Sequence, residues 1–142
     1  MKLLFLALAV ATLLQSPAPT PVTWSFAIEQ VDADEYIVTA TADVEDGWSL
    51  YSQDNDGSGP VPTVFTYANT QLDGETEELS EVIVKYSDLF ETEVKKFKNK
   101  AVFKQKLKVA PGAKAISGTV YFMCCDDVKC LPPATVAFDL EL

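Results

Sequence analysis

All three cysteines of the chain lie in one short segment near its C-terminus, between Tyr121 and Pro133. Two thiols separated by four residues can form a small disulfide loop when the chain between them turns back on itself. Asp126 and Asp127 favour such a turn, and the prolines after Leu131 prevent a regular ladder from continuing. The spacing therefore predicts a disulfide loop at the edge of a β-structure, and the chemistry it could perform is thiol–disulfide exchange.

Cys125 and Cys130 fit a bridge across this turn best, and Cys124 with Cys130 is the competing pair. A bond between the adjacent Cys124 and Cys125 would require a strained peptide geometry. Strand alternation places Cys124 on the opposite face from Cys125, where a free thiol packs as a small buried hydrophobe. The bridge itself has two interpretations, a redox pair or a structural staple, and so short a loop would give a staple relatively little stabilisation.

The charges near the thiols indicate how exchange would proceed. Asp126 and Asp127 disfavour a thiolate at Cys125, whereas Lys129 mildly favours one at Cys130. Because neither thiol has a strong activator, we expect exchange with a dedicated protein partner through a mixed disulfide. A soft-metal site formed by the three thiols is a weaker hypothesis, since no histidine supports it and adjacent cysteines suit tetrahedral ligation poorly.

The composition excludes several classes of function. The 142 residues include 21 acidic residues and 11 lysines, with no arginine and no histidine, and the formal net charge is −10. Without histidine there is no Ser-His-Asp or Cys-His catalysis, and an acidic surface makes nucleic-acid binding unfavourable. Thiol–disulfide exchange requires no metal and no organic cofactor, so we expect none.

The N-terminus is typical of an exported protein. A lysine at position 2 precedes an apolar run too short to span a bilayer and then a proline-rich stretch, which predicts a signal peptide over residues 1–18. The remaining residues 19–142 are enough for one domain. We therefore expect a periplasmic or secreted protein with no membrane span in its mature chain.

Alternating and β-branched runs separated by turn residues predict an all-β fold. About eight short strands with no sustained helical periodicity favour an immunoglobulin-like antiparallel β-sandwich. Leu72-Asp73-Gly74 is among the predicted turns. The predicted strands are Thr23–Glu29, Tyr36–Ala42, Trp48–Ser52, Thr63–Tyr67, Glu81–Tyr86, Ala101–Val109, Gly118–Cys124 and Thr135–Leu140.

A lysine-rich face marks one of these strands. Lys104, Lys106 and Lys108 share one face of the strand, while Phe103 and Leu107 share the other. We interpret this pattern as a solvated face that discourages pairing at a sheet edge. A basic stripe that recruits an acidic partner is the alternative.

Two segments resemble the N-terminal periplasmic domain of the thiol:disulfide interchange protein DsbD. The first is Phe122-Met123-Cys124-Cys125-Asp126-Asp127-Val128-Lys129-Cys130-Leu131-Pro132-Pro133, which is similar to that domain's redox motif. The second is Asp46-Gly47-Trp48-Ser49-Leu50-Tyr51-Ser52-Gln53, followed by Gly59-Pro60-Val61-Pro62-Thr63. The similarity extends over essentially the whole mature chain.

The resemblance implies an immunoglobulin-like domain that accepts electrons from a thioredoxin-like protein and passes them to periplasmic disulfide clients. It assigns Cys125 and Cys130 as the redox pair, with Cys130 forming the mixed disulfide. In this family an aromatic residue on a cap loop shields the disulfide. The matching segment here runs from Tyr86 through Asp88 to Phe90, so Phe90 would be the cap, and Tyr51 would lie beside the pair.

The chain departs from the family pattern at Ser49 and Leu89, where an aromatic and an acidic residue are usual, and at the additional Cys124. We expect neither a transmembrane electron-transfer domain nor a thioredoxin-like domain to follow residue 142. We therefore expect a free-standing version supplied by a separate membrane thiol reductase. The rival hypothesis is a noncatalytic secreted interaction module of immunoglobulin-like fold whose disulfide is structural.

Overall fold

The computed structural model describes residues 20–142, and within this range it contains eleven β-strands and no helix. The predicted signal peptide at residues 1–18 lies outside the described residues, and its boundary with the domain stays a prediction. The strands are β1 Val22–Gln30, β2 Glu35–Val44, β3 Ser49–Tyr51, β4 Val64–Tyr67, β5 Thr70–Glu78, β6 Ile83–Ser87, β7 Thr92–Phe97, β8 Lys100–Val109, β9 Ala115–Phe122, β10 Cys124–Cys125 and β11 Ala134–Glu141.

The strands form three antiparallel sheets, ordered β1-β2-β8-β5, β10-β3-β7-β6 and β11-β9-β4. One core cluster takes side chains from all three sheets, for example Phe103 of β8, Phe97 of β7 and Phe122 of β9. A second cluster around Leu107 and Phe138 extends this core between the first and third sheets. The predicted all-β antiparallel class is confirmed, although eleven strands replace the predicted eight.

β8 shows how the sequence pattern produces a buried sheet. Ala101, Phe103, Gln105 and Leu107 are buried, and the intervening side chains point to solvent, as the period of two requires. β8 lies between β2 and β5, so the expectation that its lysines protect a sheet edge is wrong.

The lysines of this central strand pair with carboxylates on both of its neighbours. Lys106 Nζ lies 3.6 Å from Asp73 Oδ2 on β5, and Lys108 Nζ lies 3.4 Å from Glu35 Oε1 on β2. These exposed pairs each contribute at most about 1 kcal/mol. They connect residues that lie opposite each other in the pairing of β8 with β2 and with β5.

β5 contains the segment predicted to be a turn, and that expectation is wrong as well. The strand continues through Gly74 by means of a β-bulge between Asp73 and Glu77. Gly74 adopts a positive φ of 82°, which costs glycine little. The buried Gln105 side chain satisfies the irregular backbone, donating to the Gly74 carbonyl at 3.1 Å and accepting from Thr76 Oγ1 at 2.7 Å.

The segment predicted as one strand from Gly118 to Cys124 divides at Met123. β9 ends at Phe122 in the third sheet, and β10 then pairs with β3 in the second. In that pairing Cys124 lies opposite Leu50, and Cys125 lies opposite Ser49. This change of sheet carries the cysteine segment to the edge of the sheet that contains β3, β7 and β6.

Candidate functional site

A disulfide joins Cys125 and Cys130 and closes a hairpin of six residues with Cα atoms 4.0 Å apart at its base. The two cysteines also form an antiparallel bridge. The Asp126 amide donates to the Lys129 carbonyl at 2.9 Å, and the Leu131 amide donates to the Cys124 carbonyl at 3.0 Å. The predicted pairing is thereby confirmed, and the alternative of Cys124 with Cys130 is wrong.

The Asp126 side chain holds the turn of the hairpin. Its Oδ1 accepts hydrogen bonds from the backbone amides of Val128 at 2.9 Å and Lys129 at 2.8 Å. These bonds lower the pKa of Asp126, and the nearby Lys129 charge adds to the effect. The turn residues thus preorganise the loop that brings Cys130 back to Cys125.

The two sulfur-bearing residues differ in their access to solvent. Cys125 is only 1% exposed, whereas Cys130 is partly exposed. Disulfide exchange requires approach of a thiolate to one sulfur, so access favours attack at Cys130.

A hydrophobic cluster surrounds the disulfide. Its buried members are Tyr51 on β3, Val94 on β7, Met123 and Cys125, and the partly buried Phe90 and Cys130 pack against them with Val61. The Tyr51 and Phe90 rings meet edge to face, with centroids 5.8 Å apart. An aromatic pair of this geometry contributes about 0.5–1.5 kcal/mol of stabilisation beyond that from the area it buries.

Tyr51 is fixed by its backbone as well as by its ring. Its carbonyl accepts a hydrogen bond from Thr63 Oγ1 at 2.6 Å. Burial, with smaller contributions from Cys124 and Asp127, raises the pKa of Tyr51 to about 12. The phenol is therefore neutral at physiological pH and serves as an apolar neighbour of the disulfide.

Phe90 lies in the short loop between β6 and β7. Its amide donates to Ser87 Oγ at 3.3 Å, and Glu91, which follows it, has a positive φ of 55°. Gly59 lies against this loop, because a Cβ on Gly59 would stand 3.1 Å from Thr92 Cγ2 and 3.6 Å from Phe90 Cβ. The segment before β4 therefore packs closely against this loop.

A surface groove of about 300 Å³ lies between the disulfide hairpin and the Phe90 loop. Asp88 and Leu89 are exposed on its rim, which places Asp88 near the disulfide hairpin but outside the cluster that contains the sulfurs. The residues that line the groove are Ser49, Tyr51, Lys85, Tyr86, Ser87, Asp88, Leu89, Lys96, Asp126 and Asp127.

Cys124 is the free thiol, and it is buried in the main core rather than in the disulfide cluster. Burial raises the pKa of Cys124, which keeps the thiol protonated and unreactive. Two of the three thiols needed for the soft-metal hypothesis are joined in the disulfide. Within residues 20–142, no group of three or more His, Cys, Asp or Glu residues is placed to hold a metal ion.

The profile of a protein family matches residues 16–142, and its description is "Thiol:disulfide interchange protein DsbD, N-terminal". The chain belongs to the DsbD N-terminal family. No curated protein matches it in sequence. The predicted family is therefore confirmed over nearly the whole chain.

Solved structures of DsbD-type N-terminal domains share the fold. The N-terminal periplasmic domain of ScsB from Proteus mirabilis superposes with a TM-score of 0.69 at 14% identity, covering 90% of this chain. The chain spans 49% of the length of that ScsB domain. The reduced DsbD N-terminal domain of Neisseria meningitidis gives 0.59 at 20% identity, covering 84% of this chain and 83% of that one. The predicted immunoglobulin-like sandwich is confirmed.

Within this DsbD-type domain, the structure brings together four of the five predicted site residues, Cys125, Cys130, Tyr51 and Phe90. Sequence analysis missed Val94 and Met123. Alternation along β7 could have indicated that Val94 is buried, but its position beneath the disulfide depends on the pairing of β3 with β7. No helix in residues 20–142 has the length and apolar character to cross a membrane.

Proposed function

We propose that this domain relays reducing equivalents from a thioredoxin-like donor to disulfide-bonded client proteins through the Cys125–Cys130 pair. The observation that carries the proposal is the asymmetry of the pair. One sulfur belongs to a buried residue and the other to a partly exposed one, and Phe90 packs against the same cluster as both. A staple would require neither a partly exposed cysteine nor an aromatic side chain in its cluster.

The exchange consists of two balanced steps. A thiolate of the reduced donor attacks Cys130 Sγ, the bond to Cys125 breaks, and Cys125 leaves as a thiolate that takes up a proton. The second donor thiol, as its thiolate, then attacks the donor sulfur of the mixed disulfide and releases Cys130. The donor becomes a disulfide, and the pair gains two electrons and two protons. The same steps in reverse reduce the client.

Phe90 is proposed to limit this chemistry to protein partners. A ring packed with Tyr51 beside the sulfurs hinders approach by small thiols and oxidants, whereas a docked partner can displace the loop. Asp88, exposed on the same loop, would meet the partner first.

Family membership supports a proposal for where the reaction takes place. The ScsB domain is a periplasmic one by its description, and the same location is proposed here, with export directed by residues 1–18. Residues 19–142 would form the working domain. A membrane thiol reductase would supply electrons to the thioredoxin-like donor, and no cofactor is needed because the electrons travel with the thiols.

The decisive measurement is the reduction potential of the Cys125–Cys130 pair, obtained by equilibration with defined glutathione buffers. A relay is expected between about −270 and −120 mV, the range of thioredoxin-like oxidoreductases. A value below about −300 mV would assign the bridge to the structural class and overturn the proposal. Cys130→Ser should also abolish electron transfer from reduced thioredoxin, while Cys124→Ser, which changes the buried free thiol, should leave it intact.

A further inference from the structure

Large apolar side chains are exposed in one short segment beside the candidate site. Tyr86 is 60% exposed and Val84 is 50% exposed, and three nearby apolar side chains before and after this strand are between 39% and 55% exposed. Such a concentration on one strand and its flanks marks an interaction surface rather than scattered surface residues. The full set is Leu79, Val82, Val84, Tyr86 and Leu89.

The strand at the centre of this segment, β6, is an edge strand protected by a single lysine. Within residues 20–142 it pairs with β7 on one side only. Natural edges are blunted by proline, clustered charge or bulges, as the acidic and bulged β5 shows on the first sheet. β6 has no proline and one charged residue, Lys85.

The two faces of β6 differ in chemistry. Lys85 lies opposite Val94, so it shares the face of the sheet on which the disulfide cluster packs. Val84 and Tyr86 lie opposite Lys95 and Glu93, on the other face. A strand added to β6 would therefore meet apolar side chains on one face and a cation on the other.

Lys85 and the neighbouring Lys96 form no ion pair within the described part of the chain. No carboxylate oxygen of residues 20–142 lies within 4.0 Å of either ammonium nitrogen, and both lysines line the groove beside the hairpin. Burial, with Lys98 and Lys85 nearby, lowers the pKa of Lys96 in spite of the opposing effect of Asp127. An incoming carboxylate would relieve this repulsion.

We propose that β6 receives an extended strand of the thioredoxin-like partner, with apolar residues beside Val84 and Tyr86 and an acidic residue facing Lys85. The inference rests on the proposed function, because it names how that partner docks. β6 runs directly into the Phe90 loop, so a strand added there lies alongside that loop.

The dimensions allow one partner to reach both places. β6 and β10 are separated by β7 and β3 in their sheet, which puts them about 14 Å apart at the usual strand spacing. A partner domain of about 100 residues has a radius of gyration of about 13 Å, so it spans that distance. Its active-site thiol can meet Cys130 while another of its segments pairs with β6.

A second copy of this chain is the less favourable occupant. β6 runs from Ile83 to Ser87, and Lys85 is its central residue. Antiparallel pairing of two β6 strands about their centres would place Lys85 opposite Lys85 of the other copy, and like charges in that position are destabilising. The net charge of −10 on each copy adds repulsion.

The test uses a mixed disulfide between Cys130 and thioredoxin. The Cys125→Ser form of this protein is joined to a thioredoxin whose second active-site cysteine is replaced by serine. Hydrogen–deuterium exchange then compares the complex with the free Cys125→Ser protein. We expect the amides of Ile83–Ser87 to become protected, and those of β1, an edge strand of the first sheet, to stay unchanged.

A matched pair of substitutions in the otherwise native chain gives the second readout. Val84→Lys adds the protection that natural edges carry, and Leu72→Lys does the same on β5, where Leu72 is 49% exposed. Val84→Lys should slow reduction by thioredoxin about tenfold, whereas Leu72→Lys should change it less than twofold. Neither should alter reduction by dithiothreitol, because Val84 lies on the face away from the disulfide.

The outcomes separate the docking surface from the function. If the mixed disulfide forms but β6 stays unprotected and Val84→Lys reacts normally, exchange stands and the docking site is wrong. If no mixed disulfide forms, both are wrong. If sedimentation shows a dimer that Val84→Lys dissociates, β6 is occupied by a second copy and the partner assignment is overturned.

Discussion

Removal of the Phe90 ring is the most direct test of the proposal that Phe90 shields the disulfide. Phe90 is partly buried, and its ring meets the Tyr51 ring edge to face, with centroids 5.8 Å apart, in the cluster that contains both cysteines. Burying about half of a phenylalanine side chain contributes about 1 kcal/mol of stability, and the aromatic pair contributes about 0.5–1.5 kcal/mol more. Phe90→Ala therefore destabilises the closed loop by about 1.5–2.5 kcal/mol.

The expected consequence is faster reaction with small thiols. If the loop must open before a thiol reaches Cys130, a loss of about 1.5–2.5 kcal/mol raises the open population about 10–70-fold. The reduction rate of the disulfide by dithiothreitol should rise by the same factor. Quenching with a thiol-specific alkylating reagent at timed intervals, followed by mass spectrometry, measures this rate.

Phe65→Ala serves as the control for general destabilisation. Phe65 is also partly buried and packs against Trp24 and Phe103, but it belongs to the main core. Its removal should lower the free energy of unfolding without accelerating reduction. The reasoning is refuted if Phe90→Ala reacts at the wild-type rate, or if Phe65→Ala accelerates reduction equally.

Three further predictions concern the surroundings of the site and the core. The raised pKa of Cys124 leaves little thiolate at pH 8, so iodoacetamide should not label the native oxidised protein there but should label it once in urea, as mass spectrometry will show. The carboxylate of Asp126 has a lowered pKa, so its contribution to stability is present above the unfolded pKa and is lost as the pH falls through the folded one. Asp126→Ala should accordingly lower the urea midpoint at pH 7, and a difference that persists undiminished at pH 2 would contradict this account. Gly118→Ala should reduce the free energy of unfolding by about 3 kcal/mol or more, because the new methyl group would overlap the Thr66 carbonyl oxygen and stand 2.5 Å from Phe138 Cζ; a wild-type denaturation curve would contradict the packing described.

The strands that sequence analysis located are those whose own residues determine them. β2 is a β-branched run, and β8 alternates lysines with core side chains, so both follow from period and propensity. β5 could not be found in this way, since its acidic residues and Gly74 disfavour a strand. It pairs with β8, where Asp73 and Glu77 lie opposite Lys106 and Lys104, and that pairing depends on a distant part of the chain.

The site was predictable to a similar depth. The Cys125–Cys130 bridge follows from local turn chemistry, because Asp126 both begins the turn and holds it. The approach of Phe90 to Tyr51 depends on the order of β3, β7 and β6 in one sheet, which no local pattern encodes. The family resemblance indicated both residues, whereas no spacing or alternation in the sequence did so.

The burial of Cys124 on the far side of β10 has a consequence for fidelity. A third thiol next to an exchangeable disulfide would ordinarily permit rearrangement, in which that thiol attacks the bond and forms a different, inactive disulfide. Here the pleat directs the Cys124 side chain into the main core while its neighbour joins the other cluster. Rearrangement would require β10 to detach from β3, so the strand pairing keeps Cys124 away from the Cys125–Cys130 bond.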